Sequence, residues 1–242
     1  MKSKILFIFI IFSNVVLTQS TADDTDLGEQ AWLDYNPTWY FHTNFTLSGS
    51  VGLRLDAPTT WKKAVFESAF RYAPNPLFDF LNKSQQELIG GINFYYTYND
   101  NKPNGYEITP FQGYRASWPN ISNLKVLHYL RLEERMEFQS GDVDTQFELR
   151  ARYKFEAIIH WTEHLVDFAD GVYIPFSVEF FSNLYSTKNY NNSARVTPGI
   201  GFSSESEWKI EFDLSYQFSK YEEESYFTKN TVIYRIRFFQ SI

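Results

Sequence analysis

No cysteine occurs in the 242 residues of this chain. That absence excludes a disulfide framework and an acylated cysteine anchor alike. Exported eukaryotic domains of this size commonly carry disulfides, so a cysteine-free exported chain points to a bacterial source. Long apolar runs are also missing beyond the first residues, and a spanning helix needs roughly 20 consecutive apolar residues. A chain of this kind can cross a membrane only as strands. Histidine is scarce, with four residues in all. His42 falls in a turn, His128 on the apolar side of an alternating segment, and His160 and His164 in the loop-like stretch 159–170. A hydrolase needs a nucleophile beside a base and an orienting group. There is no Gly-x-Ser-x-Gly elbow, so neither a catalytic residue nor an enzymatic activity is expected. His160 and His164 stand at i, i+4 with Glu163 between them, but the His-Glu-x-x-His order is lacking. No metal and no other cofactor is expected.

The N-terminus has the parts of a secretory signal. Lys2 and Lys4 form a basic start, Ile5 to Phe12 is an unbroken apolar run, and Ser13 and Asn14 break it. A small, polar stretch from Thr18 to Ala22 holds the expected cut, which makes 1–22 a cleavable signal peptide. Residues 23–29 read as a short, flexible acidic tail, and 30–242 as one domain. Of the 22 Lys and Arg, two lie in the signal, which leaves 20 against 29 Asp and Glu, a formal charge of −9. Such a balance disfavours nucleic acid as a partner. Aromatic residues make up 19% of the chain, high for a domain that meets water on all sides.

From residue 30 onward the pattern is strand and turn. Alternation marks segments near 30–41, 45–56, 62–73, 86–99, 105–117, 125–138, 146–159, 171–184, 193–203, 207–219 and 227–239. Turn residues separate them, as in Asp100-Asn101-Lys102-Pro103-Asn104-Gly105. Their length suits the roughly 9–11 residues that a tilted strand needs to cross a bilayer, with some overhang. Side chains alternate between faces along a strand. In 131–137 that puts Arg131, Glu133, Arg135 and Glu137 on one face and Leu132 and Met136 on the other, with Glu134 the exception. In 208–218, Trp208, Ile210, Phe212, Leu214, Tyr216 and Phe218 oppose Lys209, Glu211, Asp213, Ser215 and Gln217. The segments number eleven, whereas single-chain bacterial barrels have even strand numbers. The expected architecture is an all-β, antiparallel up-and-down transmembrane barrel of 10–12 strands, with twelve favoured. A further strand hidden in Pro74 to Leu81 would complete the count.

Period two does not say which face is inside. A soluble periplasmic lipid-binding barrel, apolar within, has the same period. Three features favour lipid outside. Aromatics recur at segment ends, as interfacial girdles do. The charged face mixes Arg with Glu in self-neutralising order, and it favours Arg, the better partner of a buried carboxylate. The last segment, Tyr234 to Phe239, is an aromatic strand of the kind that commonly closes outer-membrane barrels. The ladder expected in a largely filled lumen comprises Arg54, Glu67, Arg71, Glu87, Glu107, Arg115, Arg131, Glu133, Arg135, Glu137, Arg150, Arg152, Glu179, Arg195, Glu211, Asp213, Arg235 and Arg237. Such residues either fill and neutralise the interior or line a narrow channel for small charged solutes. A lipid-modifying outer-membrane enzyme is the remaining alternative. The expected partners are the outer-membrane bilayer of a Gram-negative bacterium and, during biogenesis, periplasmic chaperones and the barrel-assembly machinery.

Five phrases carry a resemblance. They are Tyr106 to Tyr114, Leu130 to Phe138, Leu149 to Phe155, Val178 to Asn183 and Ala194 to Phe202. In order and spacing they resemble the domain of unknown function 2490 family of presumed outer-membrane barrels, from about Gln30 to the end. The resemblance implies a fold and an address and no activity. Where that family has Arg-Pro-Trp-Gln-Gly, this chain has Thr109-Pro110-Phe111-Gln112-Gly113, so the arginine is absent.

Overall fold

A computed structural model of the chain describes residues 26–57, 61–74, 85–100, 103–118, 123–140, 145–161, 171–186, 192–204, 207–220 and 229–242. The signal peptide and His164 lie outside these residues. Each alternating segment forms a strand: β1 (Asp26–His42), β2 (Phe45–Ala57), β3 (Trp61–Tyr72), β4 (Gln85–Asn99), β5 (Gly105–Ser117), β6 (Leu124–Gln139), β7 (Gln146–Trp161), β8 (Gly171–Ser186), β9 (Asn192–Ser203), β10 (Trp208–Lys220) and β11 (Lys229–Ser241). Among the described residues there is no helix. Strand β1 starts at Asp26, so the stretch 26–29, expected as flexible tail, pairs with Lys229 to Val232 instead.

The strands close into a barrel in which every sequence neighbour pairs antiparallel and β1 pairs parallel with β11. This corrects the expectation of twelve strands. An up-and-down barrel with an even count closes antiparallel. An odd count leaves its first and last strands pointing the same way, and only a parallel ladder can join them. That ladder runs from Asp26↔Lys229 to Thr38↔Ser241 without a register shift. A strand between β3 and β4 is excluded, because those two pair directly from Trp61↔Asn99 to Tyr72↔Leu88. Residues 75–84 themselves lie outside the described residues. One consequence is that the two ends of the domain open at opposite mouths. Asp26 marks an N-terminal mouth, and the other mouth holds Ile242, whose amide donates to the Thr38 carbonyl (2.8 Å).

The faces are inverted relative to a protein core. Outward side chains are large and apolar, with Leu53 57%, Phe66 50% and Leu214 49% exposed. Inward side chains include buried Asp34, Glu107, Arg131, Glu133, Glu148, Glu179, Glu211 and Asp213. Apolar groups also turn inward. Ala69, Ile89 and Phe111 form a small buried cluster with Tyr129 against it. The Phe111 ring lies over Gly91, where a Cβ would meet ring atom Cζ at 2.5 Å, and the Tyr173 ring covers Gly201 in the same way. Glycine in these strands therefore makes room for an inward ring.

Candidate functional site: the charged interior

Register assembles the interior. On β6 and β7, Glu133 faces Arg150 and Arg135 faces Glu148, while Arg131 faces Arg152. The side chains resolve these rows into shared ion pairs. Glu133 accepts from Arg150 Nε (2.7 Å), lies 2.9 Å from Arg131 Nε, and has Arg152 at 3.8 Å. Arg135 forks onto Glu107, with Nε on Oε1 (2.8 Å) and Nη2 on Oε2 (2.9 Å), and also pairs with Glu148. Glu179 is held by Arg152 and by Arg195 Nη1 (3.3 Å). On the other side of the closure, Arg237 pairs with Glu211 and with Asp213 (2.7 Å), and Arg235 Nε donates to Asp34 Oδ2 (2.6 Å). Charge-assisted pairs of this kind satisfy acids that are fully withdrawn from solvent. The side chains of Asp34, Glu133, Glu148 and Asp213 are each 1% exposed.

Geometry divides acids from bases. A carboxylate on a short stem stays at the wall, whereas a guanidinium on its long stem reaches towards the axis. Several guanidiniums rest on inward rings: Arg131 lies 3.4 Å from the Phe111 centroid, and Arg150, Arg152 and Arg195 lie 5.2, 5.3 and 5.1 Å from that of Phe181. Trp32 takes three, with Arg54 at 4.0 Å, Arg195 at 5.1 Å and Arg235 at 5.4 Å. Each such contact is worth about 0.5–2 kcal/mol.

The interior is not solid. A cavity of about 420 Å³ opens towards the C-terminal mouth, lined by Tyr40, Arg115, Lys125, His160 and Lys209 among others. A second, of about 400 Å³, lies towards the N-terminal mouth, around Trp32, Arg54, Lys63 and Tyr95. The two adjoin at Glu67, Arg71, Tyr129, Arg131, Lys154 and Arg237, which line both. This differs from the expectation of a largely filled lumen. Inward rings and paired charges brace the wall, and the space between them stays open.

All the ladder residues read from the sequence share the inward face, and the structure joins most of them in the network above. Glu87 and Arg115 pair with each other (3.4 Å) near the C-terminal mouth, and Glu67 pairs with Arg131 (3.4 Å). Glu137 stands in register with Glu107 towards the N-terminal mouth. Arg54 and Arg71 have no carboxylate within ion-pair distance among the described residues. Alternation in 147–155 sets Glu148 and Lys154 on the charged face beside Arg150 and Arg152, although the ladder leaves them out; Asp34, Lys63 and Glu156, also inward by alternation, were missed. Sequence reasoning also missed Trp32, Phe111 and Phe181, whose apolar character assigns them to the wrong face. His42 sits at the β1–β2 turn, where the Asn44 amide donates to its Nδ1 (3.3 Å). His128 faces outward against Tyr153 Oη (2.7 Å), and His160 lies by the Tyr173 ring.

Residues 29–228 match the family described as "Protein of unknown function (DUF2490)". The chain belongs to this family. No curated protein matches the chain, and neither does any solved structure. The DUF2490 description names no activity. The phrases that carry the resemblance all lie on strands β5 to β9. In Thr109–Gly113 the inward members have structural tasks: Thr109 Oγ1 donates to Glu107 (2.8 Å), Phe111 carries the Arg131 guanidinium, and Gly113 admits the Tyr129 ring.

Proposed function

We propose that this DUF2490 chain is a transmembrane β-barrel of the bacterial outer membrane, with a narrow, water-containing interior for small charged solutes. The observation that carries the proposal is the outer face. Among the described strand residues, alternation puts only Glu29, Lys62, Glu134 and Lys220 outward as charges, amid Leu33, Val51, Leu53, Phe66, Ile92, Phe180 and Leu214. Water-soluble monomers rarely leave a continuous apolar surface of that extent. A closed barrel also pairs every backbone group in the spanning region, which is what hydrocarbon demands. Exposed Trp39, Phe41, Trp118 and Trp208 towards one mouth and Tyr98, Tyr106 and Tyr185 towards the other suit the two interfaces. On this reading the N-terminal signal exports the chain, and periplasmic chaperones with the assembly machinery insert it. A soluble lipid-binding barrel needs an apolar cavity, and the charged lining is unsuited to a lipid tail.

The test uses full-length protein folded in detergent, with folding checked by heat-dependent gel mobility, then reconstituted in planar bilayers. Steady conductance steps are expected. Silence from folded protein would refute a solute path, and a chain soluble without detergent that shows no heat shift would refute the membrane address.

A further inference from the structure

Resting on the reading of the interior as open to solutes, we infer that the cavity around Trp32 binds a small free oxyanion, of the phosphate, sulfate or carboxylate kind, between Arg54, Arg195 and Arg235. Register builds the cluster. Trp32 on β1 faces Arg54 on β2 and, across the parallel closure, Arg235 on β11. Arg54 in turn faces Lys63 on β3. Like charges placed directly opposite on neighbouring strands repel, and no carboxylate separates this pair.

The three guanidiniums surround one indole at 4.0, 5.1 and 5.4 Å from its centroid. Their partners leave a surplus of positive charge. Arg54 has no ion pair among the described residues, and its Nε is shut off from solvent without a hydrogen-bond partner. Arg195 gives Nε and Nη2 to the neutral Gln217 amide oxygen (3.0 and 2.5 Å) and shares Glu179 with Arg152. Arg235 alone has an acid of its own, Asp34, reached through Nε. The cavity lining has eleven Lys and Arg against four Glu, with Asp34, Glu148, Glu156, Glu211 and Asp213 pairing with lining cations from behind. Cations thus face the cavity water while the acids stand behind them at the wall. The volume of about 400 Å³ is within the usual range for small-ligand sites. Planar guanidinium forks match the oxygens of phosphate or carboxylate, and an anion among them removes the repulsion.

The test is thermal unfolding of the full-length, detergent-folded protein titrated with inorganic phosphate, with acetate, and with chloride at matched ionic strength. A saturable rise in Tm of about 5 °C is expected at a hundred-fold excess of phosphate over its Kd. Acetate should give a smaller rise and chloride none. Arg54→Gln should keep its anion-free Tm and lose at least tenfold in phosphate affinity, while Arg115→Gln, which lines only the other cavity and pairs with Glu87, should respond like the parent. If Arg54→Gln does not fold, Arg54→Lys takes its place and should weaken binding through loss of the fork. No shift, an equal shift with chloride, or an unchanged response in the Arg54 variant would overturn the site. The membrane address is judged separately by fractionation, so a soluble protein that phosphate stabilises would sink that reading and leave the anion site standing.

Discussion

Two stretches of the same wall treat their cations differently. On β6 and β7, Arg131, Arg135, Arg150 and Arg152 are clamped by Glu107, Glu133, Glu148 and Glu179, several of them by two acids at once. On β2 and β3, Arg54, Lys63 and Arg71 face the same interior with no acid in ion-pair distance among the described residues. The residue types match and the alternation matches, and the difference lies in what register brings opposite. Charges on β6–β7 hold the wall together. Those on β2–β3 border the open cavity around Trp32 and are held by no such pairs among the described residues.

The largest effect expected from breaking the contrast is on the clamped side. Glu133→Ala leaves Arg131, Arg150 and Arg152 buried around a missing acid and should cost about 3–5 kcal/mol, read as a fall in the denaturant midpoint of folded barrel in lipid vesicles. Arg135→Ala orphans Glu107 and Glu148 and should lower stability by about 3 kcal/mol while leaving the phosphate response intact. On the outer face, Leu214→Arg should destabilise the vesicle-embedded barrel by about 2–4 kcal/mol, since a cation near the bilayer midplane has no partner. The smallest stability change belongs to the free side. Arg54→Gln and Lys63→Gln should stay within about 0.5 kcal/mol of the parent. In a salt gradient across a planar bilayer, though, both should move the reversal potential towards cations. A loss of stability as large as that of Glu133→Ala would erase the distinction between the two stretches.

Much of this was legible in the chain. Period-two alternation in 131–137 and 208–218 identifies strands and sorts their faces, and the eleven segments coincide with β1 to β11 to within a few residues. The count of twelve goes wrong because the even-number rule assumes antiparallel closure, and the β1–β11 ladder joins residues roughly two hundred positions apart with no local signal. A period of two is the same from both sides, and it was the mixed Arg and Glu of the charged face and the aromatics at segment ends that set the ladder inward, where Glu107, Arg131, Glu133 and Glu179 are buried. Trp32, Phe111 and Phe181 could not be placed by hydropathy, because an interior of guanidiniums uses rings as platforms. Parity alone places Glu148 and Lys154 beside Arg150 and Arg152, and it could have placed Asp34 and Lys63 as well. The meeting of Arg54, Trp32 and Arg235 depends on the closure register and was beyond sequence reading.

The absence of cysteine makes the most direct test simple. Single cysteines introduced in turn from 210 to 217, carrying a fluorophore, report on lipid contact through a quencher fixed in the bilayer core. The account predicts strong quenching at 210, 212, 214 and 216 and little at 211, 213, 215 and 217. Quenching that is uniform, absent, or strongest at the odd positions would contradict the placing of lipid outside and charge within.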